Sequence, residues 1–342
     1  MSFRDCIGHQ TSIALLQSAV SHERLAHAYL FHGEDAIGKR LTAIRLAQAL
    51  SCEQPAETEG LDSCGACRSC LQIEARTHPD FFVIEPDPEQ ATQQIKIEQV
   101  REIEHQIMYR PLIGERKICL IDDADRMTIG AANALLKTLE EPPSHSLFLM
   151  ISSRPAALPA TIRSRCQALR FTTPTRTQVE AALILKCELP PRDARFLAII
   201  SEGRIGEALT ADVKDTRARQ QELVDLVSPQ SLRSIGSILS SAEAIAKADR
   251  AQDILTWLAR WIRDLVLIQV GGDRDQLLYI DNPATLEAYA QQANTDQLLD
   301  LLHEIEMTEQ RATRHLNLQM ALETILLRLR GAVAPSPIPQ PI

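Results

Sequence analysis

The sequence is poor in aromatic residues and has no long hydrophobic run, and both shortages restrict the kinds of protein it encodes. Phe, Trp and Tyr make up only 4% of the 342 residues, whereas hydrophobic residues as a whole make up 45%. The second half is dominated by Ala-, Leu-, Ile-, Gln- and Glu-rich stretches, which favour helices over sandwiches or barrels. No apolar run reaches the roughly 18 residues needed to cross a bilayer, and residues 1–10 lack the form of a secretion signal. We therefore expect a cytoplasmic protein with an α/β part followed by an all-α part.

The chain also lacks an excess of positive charge. It contains 36 Lys and Arg residues against 45 Asp and Glu residues, which gives a net charge of −9 at pH 7. Binding of a nucleic-acid backbone needs clustered cations. This balance argues against a broad autonomous nucleic-acid surface and predicts that any DNA contact is shared with partners.

Cysteine is scattered except in one segment. Four of the eight cysteines lie apart (Cys6, Cys119, Cys166 and Cys187), and the other four form the pattern C-x11-C-x2-C-x2-C (Cys52, Cys64, Cys67 and Cys70). Four thiolates close a tetrahedral zinc shell and leave no open position, so the pattern predicts a structural zinc site. An iron–sulfur cluster is the main alternative, although the fourth ligand lies upstream and no Cys-Pro follows. A nucleic-acid-reading zinc finger is disfavoured because acidic residues outnumber basic ones in this insert.

A phosphate-loop pattern with one defect lies near the start of the chain. Residues Gly33–Arg40 read GEDAIGKR and match G-x-x-x-x-G-K-[ST] at every required position but the last. In such loops the glycines, here Gly33 and Gly38, let backbone N–H groups surround phosphate, and the lysine, here Lys39, neutralises its charge. Arg40 takes the place of the hydroxyl that binds magnesium, and a guanidinium cannot act as a metal ligand.

A second nucleotide-site signal lies about 85 residues downstream. The apolar segment KICLI is followed by Asp122 and Asp123. Carboxylates at the carboxyl end of a strand lie beside bound magnesium in phosphate-loop proteins. In hydrolytic versions the second acid is usually glutamate, and Asp123 is one methylene shorter.

Apolar segments that alternate with helical patterns predict a parallel sheet in the first 172 residues. The five predicted strands cover residues 29–32, 81–85, 118–122, 147–152 and 168–171. Beyond residue 174 only helical patterns follow. We expect four parts. Residues 1–172 form a P-loop domain with a zinc insert at about 51–72, and residues 173–213 form a small helical lid. Residues 214–330 form a helical bundle, and residues 331–342 form a Pro-rich flexible tail.

Five segments together resemble the AAA+ subunits of bacterial clamp loaders, which belong to DNA polymerase III. They are HAYLFHGEDAIGKR, the cysteine knuckle, ICLIDDAD, NALLKTLEEPP and LPATIRSRC. The resemblance implies a five-stranded AAA+ sheet, a helical lid and a helical collar for oligomerisation. It also implies a part in DNA replication, within a DNA-directed DNA polymerase holoenzyme. The implied partners are gamma or tau ATPase subunits, a delta subunit and, through the complex, a sliding clamp and primer–template DNA.

The resemblance also assigns roles to single residues. It implies that Arg165 of the triplet Ser164, Arg165 and Cys166 is an arginine finger for ATP on a neighbouring subunit, whereas the residues alone leave Arg163 an equal candidate. The ATPase relatives have Thr, Glu and Arg at positions that here hold Arg40, Asp123 and Gly206. We therefore expect a non-hydrolysing subunit with weak or no ATP binding. The alternative is a self-sufficient ATPase of the gamma/tau type, in which Thr42 or water replaces the missing hydroxyl.

Overall fold

The protein folds into two compact units, Met1–Thr210 and Ala211–Ile342. The computed structural model describes residues 2–54, 61–87, 93–227, 231–232, 234–247, 251–273, 276–278, 283–311 and 318–333. No helix in these ranges is both long enough and apolar enough to span a membrane. The predicted lid segment belongs to the same unit as the sheet up to Thr210, and its last three predicted residues, 211–213, fall in the second unit.

The first unit is built on a five-stranded parallel sheet, as predicted. Its strands are β1 Ala28–His32, β2 Phe81–Ile84, β3 Lys117–Ile121, β4 Ser146–Ser152 and β5 Gln167–Arg170. The order across the sheet is β2-β3-β4-β1-β5, and every neighbouring pair is parallel. The carboxyl ends of all five strands therefore lie along one edge, where ligands bind in open α/β sheets.

Helices cover both faces of this sheet. Side chains alternate along each strand, so Tyr29 and Phe31 enter one core cluster and Leu30 enters the other. The helices of the first unit are α1 Gln10–Ser21, α2 Lys39–Ser51, α3 Arg68–Glu74, α4 Ile97–Ile107, α5 Ile129–Glu140, α6 Ala160–Arg163, α7 Arg176–Cys187, α8 Pro191–Ile200 and α9 Ile205–Thr210, with 3-10 turns at Phe3–Asp5, Ala124–Arg126 and Pro155–Ala157.

The ends of α5 follow from its sequence. The hydroxyl of Thr128 accepts a hydrogen bond from the backbone N–H of Ala131 and caps the first turn. Pro142 and Pro143 follow Glu141, the last residue before the chain leaves the helix, and their rings prevent further helical turns. Glu140 is thus fixed at the end of the helix.

The second unit consists of helices and their connections, with no strand among the residues that the structure describes. Its helices are α10 Val213–Leu226, α11 Ile235–Lys247, α12 Ala251–Gln269, α13 Pro283–Gln292, α14 Thr295–Arg311 and α15 Leu318–Val333. The apolar faces of these helices pack into one core, with Leu258, Leu298 and Ile325 fully buried. Helix α15 extends to Val333 and so includes the first residues of the predicted tail. The rest of that tail, 334–342, lies outside the described residues.

Candidate nucleotide and metal sites

The phosphate loop connects β1 to α2 and depends on its two glycines. A side chain at Gly33 would collide with the carbonyl oxygen of Phe171. Gly38 has φ of +107°, a conformation that side chains rarely adopt, and directly precedes the first turn of α2. The structure therefore places the predicted loop at the carboxyl end of β1.

Lys39 is directed into its own loop. Its side chain is buried, and Nζ donates hydrogen bonds to the carbonyl oxygens of Gly33, at 2.8 Å, and of Glu34. Burial lowers the pKa of Lys39, and the neighbouring aspartates oppose that shift only in part. The ammonium group therefore has two loop carbonyls as partners in place of phosphate oxygens.

Arg40 forms ion pairs at the position where phosphate-loop proteins hold magnesium. Its Nη1 donates to Oδ2 of Asp122 at 2.5 Å, and its Nη2 donates to Oε2 of Glu85 at 2.6 Å. Burial alone would lower the pKa of Arg40, but the bonds to Glu85 and Asp122 outweigh it and raise that pKa. The residues present do not fit magnesium, because the hydroxyl ligand is missing and a cation already binds the Asp122 carboxylate.

Asp123 and Thr42, the two other residues considered for ATP hydrolysis, also contact groups of the chain itself. Asp123 adopts a left-handed backbone (φ +48°), and its carboxylate lies 3.4 Å from Nε of Arg126. Burial and the adjacent Asp122 charge raise the pKa of Asp123. Thr42 is fully buried and donates to the carbonyl oxygen of Gly38 at 3.1 Å. Its hydroxyl therefore points into the helix and cannot replace the one missing at Arg40.

The lid lies directly against the phosphate loop. The backbone N–H of Gly206 donates to the carbonyl oxygen of Ala36 at 2.8 Å, and a Cβ at Gly206 would lie 3.1 Å from the same oxygen. A side chain at this position would therefore require the loop to shift by a few tenths of an ångström. The remaining cavity has a volume of about 430 Å³ and is lined by residues of the loop, α2, the β3 end and the lid, among them Lys39, Arg40 and Asp122.

Arg165 is located away from that cavity. It follows α6 and is not among the described residues that line the cavity. Its Nη2 donates to Oε1 of Glu140 at 2.5 Å, and its Nη1 donates to the carbonyl oxygen of Thr161 at 2.8 Å. Both ion-pair partners are partly exposed, with 32% of the Arg165 side chain and 51% of the Glu140 side chain accessible. Arg163 is exposed as well.

The four predicted metal ligands converge. The sulfur atoms of Cys52, Cys64, Cys67 and Cys70 all lie within 4.8 Å of one another, and those of Cys52 and Cys67 are 4.0 Å apart. A tetrahedral zinc ion with Zn–S bonds of about 2.3 Å places its sulfurs roughly 3.8 Å apart. Hydrogen bonds from the backbone N–H groups of Ala66 and Cys67 lower the pKa of Cys64 to about 6. The cluster therefore fits a metal ion bound by thiolates.

Polar side chains join this cluster to the phosphate-loop helix. The buried Gln48 on α2 donates to the carbonyl oxygen of Cys70 at 2.9 Å, and Arg45 donates to Glu74 of α3 at 2.5 Å. Glu53 accepts hydrogen bonds from the N–H and hydroxyl of Ser69. A metal at the cysteines would hold α3 against the end of α2.

His9 is a site residue that the motifs did not reveal. It is buried, and its Nε2 donates to the carbonyl oxygen of Ile37 at 2.6 Å, which fixes the loop beside Gly38. Glu85 was missed as well, although its position directly after β2 places it at the same sheet edge as Asp122. Predicting that Glu85 lies beside Asp122 requires knowledge of the strand order.

The burial of His9 predicts a pH effect on stability. Burial lowers the pKa of His9, with a smaller contribution from the Lys39 charge. Between the unfolded pKa, about 6.5, and the lower folded pKa, the unfolded state binds more protons. Stability contributed by neutral His9 is therefore full above about pH 6.5 and is lost as the pH falls below it.

Urea unfolding tests this effect in His9→Gln. The free energy of unfolding of this variant should change with pH less steeply than that of the wild type, by up to about 1.4 kcal/mol per pH unit. His22→Gln, at an exposed site, should keep the wild-type slope, and an equal slope in His9→Gln would contradict the assignment.

The fold and the site together define a class. A parallel sheet in the order β2-β3-β4-β1-β5, a phosphate loop after β1, strand-end aspartates after β3 and a helical lid against the loop are the features of an AAA+ P-loop protein. In this chain the place of the magnesium ion, beside Asp122, is taken by the side chain of Arg40.

Comparison with known proteins identifies the family. Residues 8–175 match the family described as DNA polymerase III, delta subunit, and residues 217–331 match its C-terminal family. The chain is 31% identical to DNA polymerase III subunit delta' of Bacillus subtilis, over 92% of this chain and 94% of that protein. It is 30% identical to the delta' subunit of Pseudomonas aeruginosa, over 91% and 93%. It is 28% identical to subunit tau of Escherichia coli, over 98% of this chain but only 48% of tau. The chain belongs to the family of DNA polymerase III delta' subunits, and the resemblance seen in its motifs is confirmed.

Proposed function

We propose that this chain acts as the delta' subunit of a DNA polymerase III clamp loader and supplies Arg165 to ATP bound by a neighbouring subunit, without hydrolysing ATP itself. The observation that carries the proposal is the ion pair between Arg40 and Asp122, which leaves no place for magnesium in the chain's own site. A subunit of this family with a closed site contributes to ATP turnover only through groups that it presents to its neighbours.

Arg165 has the chemistry for that contribution. A guanidinium offers fixed paired donors to the charge that develops on transferred phosphoryl oxygens. In the isolated chain its partner is Glu140, a carboxylate that is half exposed. Exposed ion pairs contribute little to stability, so Arg165 exchanges this carboxylate for a phosphate at small cost.

The proposed partners follow from the family. The chain would assemble with gamma or tau ATPase subunits and a delta subunit, and would act on the sliding clamp and primer–template DNA through that complex. The helical unit at residues 211–333, with its single core, would form the collar that joins the subunits. The acidic net charge supports shared DNA contacts over a DNA-binding surface of its own.

We assign zinc to the four cysteines as a structural ion. The support is a ligand set of four thiolates with spacings close to those of a tetrahedral Zn–S site. Such a shell has no open position for substrate, so the ion would stabilise the insert and take no part in chemistry.

ATP turnover by the isolated chain tests the proposal. The purified protein should show only background magnesium-dependent hydrolysis, because Arg40 and Asp122 remain paired. Reconstitution with the gamma or tau and delta subunits of the same organism should give turnover that depends on this chain. Steady hydrolysis by the isolated chain that disappears in Lys39→Ala would contradict the proposal and establish the gamma/tau-type alternative.

A further inference from the structure

Arg40 joins three separate parts of the first unit. It lies in the first turn of α2, and its two terminal nitrogens bind carboxylates that follow two neighbouring strands, Asp122 after β3 and Glu85 after β2. Arg76, which follows α3, donates to the second carboxylate oxygen of Glu85 at 2.7 Å. One guanidinium therefore connects the phosphate-loop helix to two strand ends, and a second one extends the chain of ion pairs to the cysteine insert.

The charges in this network balance. Two guanidinium groups face two carboxylates, and the Asp122 side chain is only 16% exposed. Burial alone would raise the pKa of Glu85, but hydrogen bonds from Arg40 and Arg76 lower it below its usual value. Without Arg40, Asp122 would lose its ion-pair partner and Glu85 would keep only Arg76.

A bound magnesium ion would neutralise the same carboxylates in a different way. It needs oxygen ligands at about 2.0–2.1 Å in octahedral geometry and usually binds one or two carboxylates together with waters. The Arg40 guanidinium already occupies Oδ2 of Asp122 at 2.5 Å, and its charge repels a divalent ion. A fixed side-chain cation and a bound metal cannot occupy this place together.

We propose that Arg40 is the resident cation of this site. It holds the Asp122 and Glu85 carboxylates in the place of a divalent metal, and so makes the junction between the phosphate loop and the sheet independent of magnesium. Arg40 acts through these two carboxylates as a positioning residue. The proposal concerns the chain's own site and does not depend on any role of Arg165 in a neighbouring one.

The test is the magnesium dependence of thermal unfolding in Arg40→Thr. This variant removes the cation and supplies a hydroxyl, so Asp122, Asp123, Glu85 and the new hydroxyl form an oxygen-rich site. In buffer freed of divalent ions by a chelating resin, with no soluble chelator that would strip the cysteines, we expect a lower Tm than wild type. Millimolar Mg²⁺ or Mn²⁺ should raise it by about 5 °C, whereas the wild-type Tm should not move.

Two further variants separate a cation role from a general packing role. Arg40→Thr combined with Asp122→Asn should lose the response to Mg²⁺, because a carboxylate ligand is gone. Arg76→Thr removes an exposed partner of Glu85 without opening the site, so its Tm should not respond to Mg²⁺. A folded Arg40→Thr protein whose Tm ignores both ions would overturn the proposal.

A measurement on the wild-type protein keeps the proposal testable should Arg40→Thr fail to fold. Titration with Mn²⁺, followed by calorimetry and by the paramagnetic resonance of the free ion, should detect no binding that depends on Asp122. Mn²⁺ binding by the wild-type chain that Asp122→Asn abolishes would show that metal and Arg40 coexist, and would refute the proposal. Neither result bears on Arg165, whose role is read only in the assembled loader.

Discussion

Replacing Arg165 with alanine is expected to reduce ATP turnover at the adjoining site of the assembled loader by roughly 10³-fold or more, the range seen for arginine fingers in other systems. The loss arises because no other group of this chain would replace the paired donors that the guanidinium presents to the γ-phosphate. The total ATP turnover of the complex should fall by the fraction that this one site contributes. Single-turnover hydrolysis in reconstituted complexes of verified stoichiometry measures the effect.

Arg163→Ala is the matched control for this experiment. Arg163 is exposed, has the same charge and lies two positions before Arg165. The Arg163→Ala variant should leave ATP turnover within about twofold of wild type. Both variants should assemble normally, because surface substitutions of this kind change stability little. Unchanged turnover in Arg165→Ala, or an equal loss in Arg163→Ala, would contradict the assignment of Arg165.

Loss of Cys67, one of the four proposed zinc ligands, is the second change with a large expected effect. The free energy of unfolding of Cys67→Ser should fall by on the order of 5 kcal/mol, because metal binding to a thiolate cluster contributes directly to folding. The effect should extend into α2, since Gln48 binds the carbonyl oxygen of Cys70. We expect the Tm to fall by about 10 °C and the zinc content, measured by mass spectrometry, to fall from one per chain to none.

Cys187→Ser provides the control, because Cys187 is exposed at the end of α7. It should keep both the zinc and the wild-type Tm. Stoichiometric iron with visible absorbance would contradict zinc and favour the iron–sulfur alternative. A wild-type protein whose Tm is unchanged after metal removal would contradict a structural role for the site.

The central strands β1, β3 and β4 were predictable from the sequence because nearly all of their residues are buried, on both faces of the sheet. The run ICLI in β3 has no exposed position, and such runs are typical of parallel sheets. Their ends were less predictable. Lys117 belongs to β3 although it is charged, because its ammonium donates to the carbonyl oxygen of Gln106 at 2.7 Å and lies over the ring of Phe82.

The cysteine cluster was predictable for a different reason. Three of its cysteines lie within seven residues of one another, so local chain geometry brings them together whatever the rest of the fold does. The fourth, Cys52, directly follows α2 and reaches the others across the insert.

The partners of Arg40 were not predictable in the same way. The sequence shows that Arg40 replaces a hydroxyl, but Glu85 lies 45 residues away along the chain. Only the order of the strands brings Glu85 next to Asp122. His9 is a similar case, because its contact with Ile37 depends on how the segment before α1 packs under the loop. Ion pairs across a sheet edge follow from tertiary structure and leave no local pattern.

A structure of the assembled loader with a non-hydrolysable ATP analogue tests the central claim most directly, because it shows both arginines at once. The account predicts that Arg165 has left Glu140 and lies at about 3 Å from a γ-phosphate oxygen on the neighbouring subunit, while Arg40 remains bound to Asp122 and Glu85. Arg165 still on Glu140, or magnesium and nucleotide bound beside Asp122 of this chain, would contradict it.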